Sequence, residues 1–287
     1  MIIRPTPSGF SLVELSIVLV ILGLLTGGIL GGQALIRAAE LKSVSTEYSR
    51  YAGAVQAFRD KYRALPGDMP DATQYWGSLG GAGNDHACQI ISTPSNRATC
   101  SGNGDGVIGF PWVNCTMPGG TPTNTIVTRV SELTRFWQHL SNAGLIEGSY
   151  SGFANATPVL APRPVTSPPN MPPTKFESSY WIPDGYPVGA PCAGNSSAFA
   201  TSGRGPRITI MGATPFAIAL PGSALIFNPQ EMWNIDSKMD DGLPGRGRVT
   251  SSKTNCSTAS GVAPPGDANA QYALSNSNRV CGIEIDL

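Results

Sequence analysis

Charge is what this 287-residue sequence has least of. Asp, Glu, Lys and Arg make up 13% of it, lysine is scarce, and 19 basic residues balance 19 acidic ones. A balanced chain has no global field to draw it to nucleic acid. Histidine occurs twice and none of the six cysteines sits in a CxxC pair, which argues against a Cys/His zinc centre. The chain has no GxSxG, HExxH, Walker A or dinucleotide-binding glycine loop. His86 reads as a loop residue, and His139 lies beside a tryptophan in an amphipathic segment, a structural setting. No enzymatic activity is expected from these residues. Disorder is excluded too, because 41% of the residues are hydrophobic and the aromatics are spread along the chain. The 34 glycines and 25 prolines instead point to many turns and short strands.

What stands out against this background is one apolar run, SGFSLVELSIVLVILGLLTGGILGGQALIRAAE at 8–40. It carries one carboxylate, Glu14, near its start, and the 22 residues between Glu14 and Arg37 hold no charge. As a helix they cover roughly 33 Å, the thickness of a bilayer core. A glutamate just inside such a segment is costly unless something pairs with it. A secretory signal has a basic start, a short apolar core and then a small-residue cleavage site. Here a short polar leader, MIIRPTPSG, comes first, and no clear A-x-A-like site follows the run at 27–40. Cleavage after Gly9 would leave the apolar helix on the mature chain.

Gly9-Phe10-Ser11-Leu12-Val13-Glu14 followed by this run resembles the type IV pilin superfamily, which includes the pseudopilins of type II secretion. The resemblance covers about 30 residues, with a looser helical likeness to about residue 65. It implies that a membrane-embedded prepilin peptidase cuts between Gly9 and Phe10 and methylates the new terminus. It also implies that Glu14 meets the Phe10 ammonium of a neighbouring subunit in a filament of staggered helices. Each charge would then have a partner in a low-dielectric core, and only a correctly docked subunit would make the pair. The alternative is a plain signal-anchor helix whose Glu14 rests in the headgroup region. Many pilins carry a proline in the second half of the run; this chain has Gly23, Gly27, Gly28, Gly31 and Gly32 there instead. These glycines allow either local melting or close helix packing, and the sequence does not choose between them.

Beyond Arg37 the run turns amphipathic. Leu41, Val44, Tyr48, Tyr51, Val55, Phe58, Tyr62 and Leu65 recur at steps of three and four, and Pro66-Gly67 ends the pattern. One helix over 10–64 is expected, roughly 80 Å long. The remainder, 66–287, reads as a head. A turn-rich segment at 65–77 carries a Tyr75-Trp76 anchor. A helix over 131–148 buries Leu133, Phe136, Trp137 and Leu140 and stops at Gly144. The seven prolines in 156–173 make an extended loop. RITIMG (207–212), PFAIAL (215–220) and SALIF (223–227) read as strands of an antiparallel meander, and VCGIEI (280–285) as a last strand. Asn228, Pro229 and Glu231 announce a capped helix over 228–239. The expected fold is α+β: a long N-terminal transmembrane and amphipathic helix packed on a small antiparallel sheet, with inserted helices and long loops. Its segments are a leader (1–9), a membrane or filament-core helix (10–36), its amphipathic continuation (37–65) and the head (66–287).

All six cysteines, Cys88, Cys100, Cys115, Cys192, Cys256 and Cys281, follow the apolar run. An even count in a loop-rich region past a membrane segment favours disulfides in an oxidising compartment. Among 15 pairings, Cys88–Cys100 and Cys256–Cys281 are the preferred local ones, which leaves Cys115–Cys192. Two loops are candidates for calcium. In GNGDG (102–106), Asn103 and Asp105 are spaced as alternate ligands; a plain Asx turn is the alternative. Asp240-Asp241 ends a helix against its dipole, so a cation or Lys238, Arg246 and Arg248 must offset it. The resemblance adds weight to the cation, because some pseudopilins hold calcium in a C-terminal loop. No cofactor is expected apart from this candidate calcium.

The expected function is a structural subunit of a type IV pilus or type II secretion pseudopilus. Its partners would be other pilin or pseudopilin subunits, prepilin peptidase, an inner-membrane assembly platform and the lipid bilayer. It would be a single-pass protein of the bacterial inner membrane with a periplasmic head, extracellular once in a pilus. A rival reading is a membrane-anchored adhesin or DNA-uptake module working through the head loops, although near-neutral charge argues against nucleic acid. A secreted enzyme with an uncleaved anchor is a third.

Overall fold

The computed structural model describes residues 9, 11–79, 97–106, 108, 130–152, 171–176, 179–184, 205–212, 225–251, 255–258 and 269–287. Four helices run through them: α1 (Leu12–Tyr62), α2 (Ala72–Trp76), α3 (Val130–Asn142) and α4 (Pro229–Met239). Four strands accompany these: β1 (Ser179–Asp184), β2 (Arg207–Gly212), β3 (Val249–Ser251) and β4 (Ile283–Asp286). The chain divides into two compact units, Met1–Ser43 and Val44–Leu287. The architecture is α+β, a long N-terminal apolar helix and a small antiparallel sheet with further helices and loops.

In the first unit, the helix continues without a break through all five glycines of the apolar run. A Cβ added at any of them would meet nothing within 4 Å. Their surface on the isolated chain is open. Arg37 pairs with Glu40 one turn on, at 3.1 Å.

In the second unit, the amphipathic stripe does what its spacing requires. Val44, Tyr48, Tyr51, Val55 and Phe58 are buried. Tyr51 stands edge-on to Trp137 of α3 and Trp181 of β1, with ring centroids at 4.8 and 5.8 Å. Trp181 Nε1 donates to Glu47 Oε2 at 2.7 Å, and Tyr48 Oη donates to the Asp286 carbonyl at 2.6 Å. These bonds tie both the sheet and the C-terminus to the helix. Arg63 takes a positive φ of 55° and ends α1, just before the Pro66-Gly67 stop.

The sheet has the order β1-β2-β4-β3, antiparallel throughout. Its apolar face, Trp181, Ile208, Ile210, Ile283, Ile285 and Val249, is buried. The opposite face is polar and also buried: Arg207 and Glu284 form an ion pair at 2.7 Å beside Thr209 and Thr250. Two strand expectations need correction. Leu225 and Ile226 are not in a strand, and Phe227 makes only an isolated bridge with Cys281. The capped start of α4 at Asn228 turns the chain away before a strand can extend. In place of a 207–227 meander, β2 lies between β1 and β4. β1 contains Pro183, which counts against a strand, but among the described strands β1 ends the sheet, and the bridge on its outer side, Tyr180 to Pro173, stops short of Pro183. The expected strand at 215–220 lies outside the described residues.

The other helices follow their signals. α4 has a complete capping box between Asn228 and Glu231, with Pro229 at its first position. α3 buries Phe136, Trp137 and Leu140 completely, and Gly144 follows it at φ 72°.

Candidate assembly site at the helix start

Of the residues expected to serve processing and docking, Glu14 lies in the first turn of α1. Gly9 is exposed, and Phe10 lies outside the described residues. Ser11 is the N-cap residue. Its hydroxyl accepts from the Val13 N–H at 3.2 Å, and its own N–H donates to Glu14 Oε2 at 2.8 Å. Glu14 thus supplies the return arm of a capping box to the Ser11 N–H, while the Ser11 hydroxyl caps the second helical amide, that of Val13, in the motif Ser-Leu-Val-Glu. The Leu15 N–H donates to the Ser11 carbonyl at 3.1 Å and closes the first helical turn. Glu14 therefore sits at the positive end of a helix dipole, where a carboxylate is favoured. Its role as an N-cap partner was missed in the sequence, although the S-x-x-E spacing announces it.

Downstream of the cap the side chains are bare. Leu24 is 72% exposed and Leu35 74%. Among the described residues α1 is the helix long and apolar enough to cross a membrane, by length and composition. A surface of this kind has to be covered by lipid or by other helices.

Comparison with known families bears on this same turn. Residues 5–30 match the family described as the prokaryotic N-terminal methylation motif. The chain carries the type IV pilin and pseudopilin signature. That signature spans the Gly9-Phe10 junction, the capped helix start and the apolar run as far as Leu30. The match falls on the start of an N-terminal helix of the membrane-anchoring kind. No curated protein matches the chain, and no solved structure does.

The other candidate residues lie in the second unit. GNGDG wraps around the Asp68 carboxylate, which is 2% exposed. The N–H groups of Gly104, Asp105 and Gly106 all donate to it, at 2.7, 3.2 and 2.8 Å. Asn103 Nδ2 donates to Asp105 Oδ2, and the Asp105 N–H to Asn103 Oδ1. The loop thus aims its amides at an anion supplied by the protein, with the Asx turn inside it. Burial raises the Asp68 pKa against the pull of these amides. Gly102 is needed here because a Cβ would run into the Asp68 backbone.

At the end of α4, Asp240 and Asp241 are joined by Asp236, with oxygens of all three within 4.8 Å of one another. Asn103 and Asp105 are not part of this group. Asp241 pairs with Arg246 at 2.7 Å and accepts from the Leu243 N–H. Asp240 accepts from the N–H groups of Arg248 and Val249. Asp236 accepts from Tyr272 Oη at 2.9 Å and the Gly242 N–H. Burial pushes its pKa up to about 7, Tyr272 and Gly242 oppose this, and Asp241 and Asp240 push further. Arg246 offsets part of the charge of this group through Asp241. Asp236 faces inward from α4, and its part in the group was not visible in the sequence.

Cys256 and Cys281 form a disulfide across 25 residues, as their spacing suggested. Cys100 is disulfide-bonded as well. Cys88, Cys115 and Cys192 lie outside the described residues.

His139 is fully buried in the second unit. It stacks near-parallel to Phe58 and tilts against Trp76, with centroids at 6.3 and 5.2 Å. Its Nδ1 accepts from the Gly67 N–H at 3.0 Å, which places the imidazole proton on Nε2, facing Thr99 Oγ1 and the Cys100 carbonyl. Burial pushes its pKa down to about 3, the Arg135 guanidinium adds to this, and the Cys100 carbonyl opposes it. It is a neutral core group.

Proposed function

We infer that the chain is a structural subunit of a type IV pilus or a type II secretion pseudopilus. It is a substrate of prepilin peptidase, cut between Gly9 and Phe10 and methylated at Phe10. The observation that carries this reading is the helix start. A scissile junction, a lone carboxylate at the third helical position and a bare apolar helix surface occur in that order within the matched residues 5–30. Before assembly the helix anchors the protein in the inner membrane with its head in the periplasm. In the fibre the exposed apolar surface packs against other subunits. Glu14 of one subunit then neutralises the Phe10 ammonium of the next. Removing one partner of such a buried pair costs about 3–5 kcal/mol.

Two measurements test this reading. Mass spectrometry of the mature chain is expected to find a methylated Phe10 at its start; a terminus still at Met1, or one beyond residue 30, would refute it. Imaging of fibres from cells with and without this protein then separates pilus from pseudopilus.

A further inference from the structure

We propose that Ser11 is a positioning residue for Glu14, presenting one oxygen of its carboxylate to an incoming subunit while holding the other. The inference rests on the fibre-subunit reading above and extends it to a residue that reading leaves unused. Glu14 has two carboxylate oxygens. Oε2 accepts the Ser11 N–H at 2.8 Å. Among the described residues Oε1 has no hydrogen bond, and Glu14 lies on the exposed surface of the first turn.

A glutamate with several rotatable bonds would otherwise sweep a wide arc at the start of an apolar helix. It would also lose rotamer freedom when caught by a partner. The Ser11 cap, with its N–H on Glu14 and its hydroxyl on the Val13 N–H, removes that freedom in advance. It also satisfies two first-turn amides, those of Ser11 and Val13, which would be expensive to leave bare near hydrocarbon. The neighbour's ammonium, a donor with several N–H groups, can then dock on Oε1 without the cap opening. The unassembled subunit accordingly carries its carboxylate already partnered on one side and oriented on the other. Pre-ordering of this kind favours binding because less entropy is lost at the docking step.

The hydroxyl is the separable part of the device. Ser11→Ala keeps the backbone N–H but removes the oxygen that accepts from Val13, which frays the turn that holds Glu14. Replacing a Ser cap by Ala costs about fivefold in an equilibrium constant. The experiment uses the full-length protein in cells that contain its partner subunits. It measures the mature fraction by gel mobility, membrane insertion, and the ratio of fibre-incorporated to membrane-resident protein. Ser11→Ala is expected to leave processing and insertion unchanged and to lower the ratio about fivefold, with Ser11→Thr restoring it. The double variant Ser11→Ala/Glu14→Ala is expected to match Glu14→Ala alone, because Ser11 acts through Glu14. Wild-type incorporation of Ser11→Ala beside a defective Glu14→Ala would overturn the proposal and leave the subunit reading standing. Multiplying defects in the double variant would also overturn it, as would precursor accumulation, which would assign Ser11 to the peptidase. Normal incorporation of Glu14→Ala would sink both readings.

Discussion

His139 and Asp236 make the folded second unit respond to pH in opposite directions, and substituting either one exposes the other. His139 has a folded pKa near 3 against 6.5 for the free side chain. Its stabilising effect is complete above pH 6.5 and is lost as the pH falls, because the unfolded chain takes a proton that the folded chain refuses. At 1.36 kcal/mol per pH unit, moving from pH 7 to pH 5 removes about 2 kcal/mol. Asp236 has a folded pKa near 7 against 3.8. Its contribution is complete below 3.8 and is lost as the pH rises through 7. The same step from pH 7 to pH 5 therefore restores about 2 kcal/mol. These two contributions are expected nearly to cancel in the wild type between these values. His139→Asn keeps an oxygen near the position of Nδ1 to accept from the Gly67 N–H, and its stability should rise by about 2 kcal/mol on acidification. Asp236→Asn should fall by a similar amount. The assay is equilibrium urea unfolding of the full-length protein in detergent micelles, followed by tryptophan fluorescence at half-unit pH steps. Each variant is compared with the wild type, so the titration of Asp68 and other groups cancels. A His139→Asn profile parallel to the wild type would show that the histidine is not held neutral, and the buried-imidazole argument would fail.

Three further outcomes follow from other parts of the molecule. Glu14→Ala should insert into membranes as well as the wild type does, since the helix loses a costly carboxylate, yet enter fibres poorly; an unchanged incorporation ratio would contradict the docking role. Asp68→Asn leaves an amide facing the N–H groups of Gly104, Asp105 and Gly106, at a cost of about 1–3 kcal/mol in stability; an unchanged urea midpoint would show that the loop does not depend on this carboxylate. Replacing Cys256 and Cys281 by serine opens a 25-residue loop, with an expected loss of about 3.5 kcal/mol by loop-closure entropy; the check is the difference in urea midpoint between this variant and the oxidised wild type.

How much of this was legible in advance depends on the range of the interactions involved. The helix α1, its membrane-compatible half and its buried stripe follow from spacing along one chain, because a helix places residues three and four apart on one face. The capped start of α4 is also local: Asn228, Pro229 and Glu231 satisfy their own amides within one turn. The Ser11–Glu14 contact is of the same kind, since the S-x-x-E spacing puts the carboxylate within reach of the cap N–H. Strands are another matter. β1 and β3 were not anticipated and 223–227 was misread, because a short strand exists only through partners far along the chain. Pro183 is tolerated because tertiary pairing put β1 at the end of the sheet among the described strands.

The candidate metal loops divide in the same way. Sequence alone determined that Asn103, Asp105, Asp240 and Asp241 lie in tight turns rich in oxygen. Only the tertiary structure decided what those turns face: a buried Asp68 from 34 residues upstream of Gly102, and an inward Asp236 fastened by Tyr272. The physical reason is that the charge a loop must balance is set by what is brought against it in space. The start of α1 needs no such partner within its own fold. Its signature, its cap and most of its apolar surface lie within residues 5–30, so the sequence by itself determined a capped apolar helix start there, for the physical reason that each of these features is local to a few turns.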